Sequence, residues 1–141
     1  MTDARIGDTL YRLFHTYRRA LLEAHAHSKI ALGVSQVRTL KSVGALPDCT
    51  AQAIVGRTLL DKAQITRALN DLERAGLIEK RSHPSDGRSS VITPTAAGKR
   101  MLRRLHELET QAGARMAAGL APDELAQFVR LANRMLDNLQ E

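Results

Sequence analysis

The chain has 141 residues, 43% of them apolar, and carries 21 Lys and Arg against 15 Asp and Glu for a formal charge of +6. That is enough apolar material for one domain, or for two small lobes sharing a core, and it excludes a wholly disordered chain. The excess of cations favours an anionic partner, either nucleic acid or an acidic membrane surface.

Along the chain, Ile6, Leu10, Leu13, Phe14, Tyr17 and Leu21 recur at steps of three and four. This spacing predicts one long amphipathic helix over residues 4–30, with Arg5, Arg12, Arg19 and Glu23 on its far face. Gly33 interrupts it. Ser35 is expected to cap a second helix through Val37, Leu40 and Val43, ending at Gly44 or before Pro47. Thr50 can cap a short third helix, "AQAIVGRTL", which Gly56 weakens. Asp61, with Gln64 three residues on, has the capping-box pattern for a fourth helix that runs to Ala75 and stops at Gly76. "LIEKR" and "SSVIT" then read as the strands of a β-hairpin around the polar tip "SHPSDGRSSV". Thr95 can cap a fifth helix striped by Leu102, Leu105, Leu108, Ala112 and Met116. Pro122 opens a sixth, striped by Leu125, Phe128, Leu131 or Ala132, Met135 and Leu139. The fold class expected is mainly α with a small β-hairpin, in the order of a winged helix-turn-helix core followed by two closing helices.

The cations concentrate in this core. Residues 57–104 hold 11 Lys and Arg against 5 Asp and Glu, whereas residues 105–141 hold 3 against 6. Aromatic residues are only 3%, with no Trp. Single-stranded bases would find little to stack on, so double-stranded DNA is the better anionic partner. No apolar run approaches a membrane span. The start, "MTDARIGDTLYRLF", lacks the apolar centre of a signal peptide. Cys49 has no second cysteine to pair with. The expectation is a cytoplasmic protein without a membrane partner.

Placed on a helical wheel, "DKAQITRALNDLERAG" turns Ile65, Ala68, Leu69 and Leu72 inward and Ala63, Arg67, Asn70 and Arg74 outward, with Gln64 and Thr66 at the flanks. A helix entering the major groove needs this division, because Arg can donate two parallel bonds to guanine and Gln or Asn can pair with adenine. An ordinary solvated face gives the same pattern, so the hairpin matters. At its tip Arg88 is placed to enter a minor groove, with Asp86 two residues earlier able to hold the guanidinium. Gly87 permits a positive φ there, and Lys80 and Arg81 can meet phosphates on the flank.

The stretch "TAQAIVGRTLLDKAQITRALNDLERAGLIEKRSHPSDGRSSVITPTAAGKRML" resembles the DNA-binding core of the MarR family of bacterial transcription regulators. Asp61, Thr66, Arg67, Gly76, Arg81, Asp86, Arg88, Thr95 and Gly98 are among the matching positions, and D-x-R followed by T-x-x-G is a fairly specific combination. There are departures. Pro94 stands where that family commonly has Leu, Gly87 replaces a common basic residue, and Gly56 softens the helix before the turn. The resemblance implies that Gln64, Thr66 and Arg67 face the major groove and Arg88 the minor groove, oriented by Asp86. It also implies a single MarR-type domain over residues 1–141. Within it, residues 34–100 would form the DNA-binding lobe, and 4–32 with 101–141 the dimerisation lobe of a homodimeric repressor on a palindromic operator. Many relatives release DNA on binding a small anionic or phenolic effector. His15, Tyr17 and Arg18 on the first helix are the candidate ligand contacts here, although each also suits plain packing or surface roles.

Other readings have less support. Cys49 stands beside Asp48, which does not favour a thiolate sensor. A metal sensor of the same fold would draw on His15, His25, His27, His83 and His106, but His25 and His27 are two apart and point in different directions on a helix. No metal or cofactor site is expected. A winged-helix adaptor that binds protein would not need an arginine at the wing tip. No phosphate-binding glycine loop, H-E-x-x-H or nucleophile with its base is present, so no enzyme is expected.

Overall fold

The computed structural model describes residues 3–82, 85 and 89–140. In chain order it contains α1 (Ala4–His27), α2 (Val34–Ala45), α3 (Ala51–Arg57), α4 (Lys62–Arg74), β1 (Ile78–Ser82), β2 (Ser90–Pro94), α5 (Ala96–Met116) and α6 (Pro122–Leu139). This is the mainly α architecture with one hairpin that the periodicity predicts. The chain divides into two compact units, residues 22–108 and residues 1–21 with 109–141.

The unit of residues 22–108 is built on an apolar core to which α2, α3, α4, α5 and both strands contribute. Leu40, Ile54, Ile65, Leu72 and Leu105 are each at most 1% exposed, and Ile30 and Ile92 join them. Each such side chain contributes about 1.5–3 kcal/mol relative to leaving it in water.

Short-range capping explains where most helices begin. Thr50 Oγ1 accepts from the Ala53 N–H at 3.2 Å and starts α3. At α4 the reciprocal box forms: Asp61 Oδ1 accepts from the Gln64 N–H at 2.8 Å, and Gln64 Oε1 accepts from the Asp61 N–H at 3.0 Å. For α2 the expected Ser35 cap is not what occurs. The N-cap lies two residues earlier, at Gly33, and Gln36 Oε1 accepts from the Gly33 N–H at 3.0 Å. Gly33 offers no side chain, so only the returning half of the box exists. Helix α1 likewise stops at His27, short of residue 30. Lys29 adopts φ 56°, and the Ile30 N–H reaches back to the His25 carbonyl at 2.9 Å. Burial of Ile30 fixes this left-handed turn on a lysine, where glycine would be unstrained. The Arg104 guanidinium also donates to the Ser28 carbonyl just past the helix end.

Helix α4 closes with Gly76 at φ 75°. The Gly76 N–H donates to the Glu73 carbonyl and the Leu77 N–H to the Leu72 carbonyl, both at 3.0 Å. The chain then enters β1, which pairs antiparallel with β2 from Ile78↔Pro94 to Ser82↔Ser90. The Ile92 N–H donates to the Cys49 carbonyl at 2.8 Å, so the segment before α3 lies against β2. Thr95 closes the hairpin. Its hydroxyl donates to the Gly76 carbonyl at 2.6 Å and accepts from the Gly98 N–H at 3.1 Å, and its own N–H donates to the Leu77 carbonyl at 3.1 Å. A Cβ on Gly98 would stand 2.0 Å from the Leu77 oxygen, so only glycine fits there.

In the unit of residues 1–21 and 109–141, Pro122 occupies the first turn of α6, and Glu124 Oε1 accepts from the Ala121 N–H at 2.9 Å. No residue of α6 is buried. Phe128, Val129, Leu131, Met135 and Leu136 are 40–56% exposed, as are Ile6, Leu10 and Phe14 on α1. No described helix is long and apolar enough to cross a membrane.

Gly98→Ala should cost about 1–3 kcal/mol, because the new methyl group meets backbone rather than a movable side chain. Lys29→Gly should gain about 1 kcal/mol by removing a left-handed non-glycine residue. Urea midpoints at constant m-value check both.

Candidate nucleic-acid interface

Helix α4 is the element on which the candidate site depends. Its inner face holds Ile65, Ala68, Leu69 and Leu72, all buried. That burial leaves the opposite face no choice but solvent, and Thr66, Arg67, Asn70 and Arg74 are all exposed on it. Gln64 is half-buried, with its side-chain oxygen committed to the cap. Its amide nitrogen is the atom left to donate outward. The Thr66 hydroxyl donates to the Lys62 carbonyl at 2.9 Å, which leaves its lone pairs as acceptors. Arg74 stands 3.9 Å from Asp71 in the last turn.

Adjacent residues on a strand point to opposite faces, and this separates the two cations of β1. Lys80 turns toward α4, with Nζ 4.0 Å from Glu73 Oε1. Arg81 turns away and donates to Glu79 Oε1 at 3.0 Å on its own strand. Both pairs are exposed, so each contributes under about 1 kcal/mol and yields to a stronger anion. Asp86 and Arg88, the predicted wing-tip pair, lie outside the described residues. A groove of about 640 Å³ opens between α3, α4 and the hairpin.

Gln36 is a positioning residue that sequence reasoning missed. While its oxygen completes the start of α2, its Nε2 donates to Asp71 Oδ2 on α4 at 3.0 Å. The available signal was Gly33 followed by Gln three residues on, the second half of a capping box.

The candidate effector residues do not share one surroundings. Tyr17 is half-buried and lines a cavity of about 210 Å³ with Leu13, Ala112 and Met116. Burial pushes its phenol pKa up, and the Glu109 carboxylate adds to the shift. His15 is exposed, with its ring 4.2 Å from Tyr11 and 5.6 Å from Phe14 between centroids. Arg18 is exposed. Among the described residues no three His, Cys, Asp or Glu gather in a way that could hold a metal ion.

A capped, half-exposed helix that follows a tight turn and precedes a two-stranded hairpin defines a winged helix-turn-helix protein. Residues 32–89 match the family model described as MarR family. Solved structures share the fold over almost the whole length of the chain. A MarR transcriptional regulator from Methanosarcina mazei Go1 aligns with a TM-score of 0.83 at 15% identity, covering 96% of each chain. BpsR of Bordetella bronchiseptica, a structure concerned with the regulation of its DNA binding by 6-hydroxynicotinic acid, aligns at 0.81 and 20%, covering 97% of this chain and 96% of that one. A mutant MarR from E. coli complexed with operator DNA aligns at 0.81 and 22%, covering 94% of each.

Cys49 sits at 0% exposure beneath this surface. Burial pushes its thiol pKa up, against a smaller downward pull from Arg57. A raised acid is neutral in the fold while the unfolded chain ionises, so stability is unaffected below the ordinary thiol range and falls as pH climbs above about 8.5. Unfolding free energies measured between neutral and alkaline pH should show this decline, and Cys49→Ala should flatten it.

Proposed function

We propose that the chain is a sequence-specific, double-stranded-DNA-binding transcription regulator. It acts as a homodimeric repressor and is released by a small anionic or phenolic effector. The observation that carries this reading is α4. Its N-terminus is capped on both sides of the box, its inner face is held by four buried residues, and Thr66, Arg67 and Asn70 are exposed on its outer face. The mutant MarR structure with operator DNA supports the same use of the shared fold.

On this reading the first turns of α4 enter the major groove. Arg67 donates its fork to guanine, Asn70 or the Gln64 amide pairs with adenine, and Thr66 meets a base edge or a methyl group. Arg74, Lys80 and Arg81 contact phosphates and set the register. Arg88 enters the neighbouring minor groove with Asp86 as its brace.

One module reads few base pairs, whereas two related by a two-fold axis read both halves of a palindrome about one helical turn apart. The open apolar stripes of α1 and α6 supply the means, because a large exposed apolar surface marks a site of association. Residues 4–32 and 101–141 therefore serve dimerisation, and residues 34–100 serve DNA. An effector releases DNA by binding one spacing of the two reading helices better than another. The BpsR structure, with its DNA binding regulated by 6-hydroxynicotinic acid, supports such control, and His15, Tyr17 and Arg18 are the residues assigned to it here.

The test is a titration against duplex DNA at two salt concentrations, combined with sedimentation at micromolar protein. Affinity should fall steeply with salt, the mass should be that of two chains, and Arg67→Ala should cost about 1–3 kcal/mol and blur one base position. An unchanged site preference in that variant refutes the role given to Arg67, and a monomeric mass refutes the dimer.

A further inference from the structure

We infer that the outer face of α5, through Lys99, Arg100 and Arg103, holds the phosphate backbone of a second DNA segment, separate from the one read by α4. The inference rests on the DNA-binding reading above and gives the same chain a second contact with DNA.

Burial defines the face. Gly98 and Leu105 of α5 are buried, and Met101, Leu102 and Leu108 pack against the core. Lys99, Arg100 and Arg103 are exposed on the other side. Arg104 beside them is anchored to the Ser28 carbonyl. These three cations differ from those next to α4. Arg74, Lys80 and Arg81 each stand within 4.0 Å of a carboxylate. Among the described residues Lys99, Arg100 and Arg103 have no such partner. Their placement also costs the helix stability. Like charges stand one turn apart at Lys99 and Arg103, and α5 has no acid in its first turn to complement the positive end of its dipole. A bound polyanion offsets both effects.

The chemistry of the face favours DNA over a protein. From Lys99 to Glu107 every exposed residue is Lys, Arg, His or Glu. A protein partner needs apolar or aromatic contacts at the centre of the patch, whereas DNA interfaces are polar and strongly cationic. The turn from Lys99 to Arg103 rises about 6 Å, enough to face about two phosphates of a strand that carries one charge per about 3.4 Å of axis.

The strip is remote from the reading surface. Thr95 ties the start of α5 to the Gly76 carbonyl, just past the end of α4. From there the first turn of α4 is about 18 Å distant at 1.5 Å per residue. The Ser82–Ser90 end of the hairpin is about 14 Å from its Ile78–Pro94 end. Operator DNA gripped at those far ends leaves the strip open to another duplex.

The experiment uses the full chain, a labelled operator duplex selected from a random pool and cut to the length it needs, and an unrelated duplex fixed to beads. At low salt the unmodified chain should carry the labelled duplex onto the beads and lose it steeply as salt rises. The variant K99Q/R100Q/R103Q should melt like the unmodified chain, because Gln suits a helix about as well as Lys or Arg. It should bind the operator duplex in solution with unchanged affinity, yet bring about tenfold less of it to the beads. Each single substitution should lower the salt slope of bead capture by about one unit, and these carry the test if the triple variant melts early.

Bead capture that survives the substitutions, or that the unmodified chain never shows while binding the operator, overturns the inference and leaves the DNA-binding reading in place. A triple variant that loses operator affinity also overturns it, since the strip then belongs to the operator contact. So does capture on polyglutamate beads but not on DNA beads, which assigns the strip to an acidic protein. Failure of the unmodified chain to bind any duplex at low salt overturns both readings.

Discussion

Three hydrogen bonds at Thr95 set the direction in which the hairpin leaves the reading helix, and the rest of the candidate interface follows from that. The Gly76 carbonyl belongs to the end of α4, the Leu77 carbonyl to the entry of β1, and the Gly98 N–H to the first turn of α5. One residue thus joins three elements through short bonds, with distances of 2.6–3.1 Å. Gly98 is the condition for it, because any Cβ there would push α5 off the Leu77 carbonyl. The T-x-x-G pattern is therefore a packing requirement. It keeps the hairpin at a fixed distance from α4.

Much of the fold was legible because its signals are short-range. Asp61 with Gln64, Thr50 and Thr95 announce helix starts through side chains that bond to backbone three residues on. The alternation of buried and exposed residues on α4 follows directly from the 3.6-residue period. What was misjudged lies where tertiary contacts outweigh local preference. Ser35 is a better cap residue than Gly33 by chemistry, yet the turn fixed by Ile30 and the bridge from Gln36 to Asp71 start α2 earlier. Lys29 carries no sequence signal for a left-handed conformation, and only the burial of its neighbour imposes one.

The candidate site was legible residue by residue on α4 and far less so around it. Gln52, Lys62 and Lys80 come from three elements, and no periodicity relates them. Their meeting around one groove is a property of the packing of α3 and the hairpin against α4. The opposite orientations of Lys80 and Arg81 follow from strand geometry, but which of the two faces α4 depends on the register with β2.

The bond from the Ile92 amide to the Cys49 carbonyl carries a mechanical implication. It fastens the base of the hairpin to the segment that leads into α3, and α3 packs on α4. The three elements then form one stiff plate. A plate of this kind meets any partner as one body, so the strands at the base of the hairpin and α4 keep their spacing and only their common tilt can adjust.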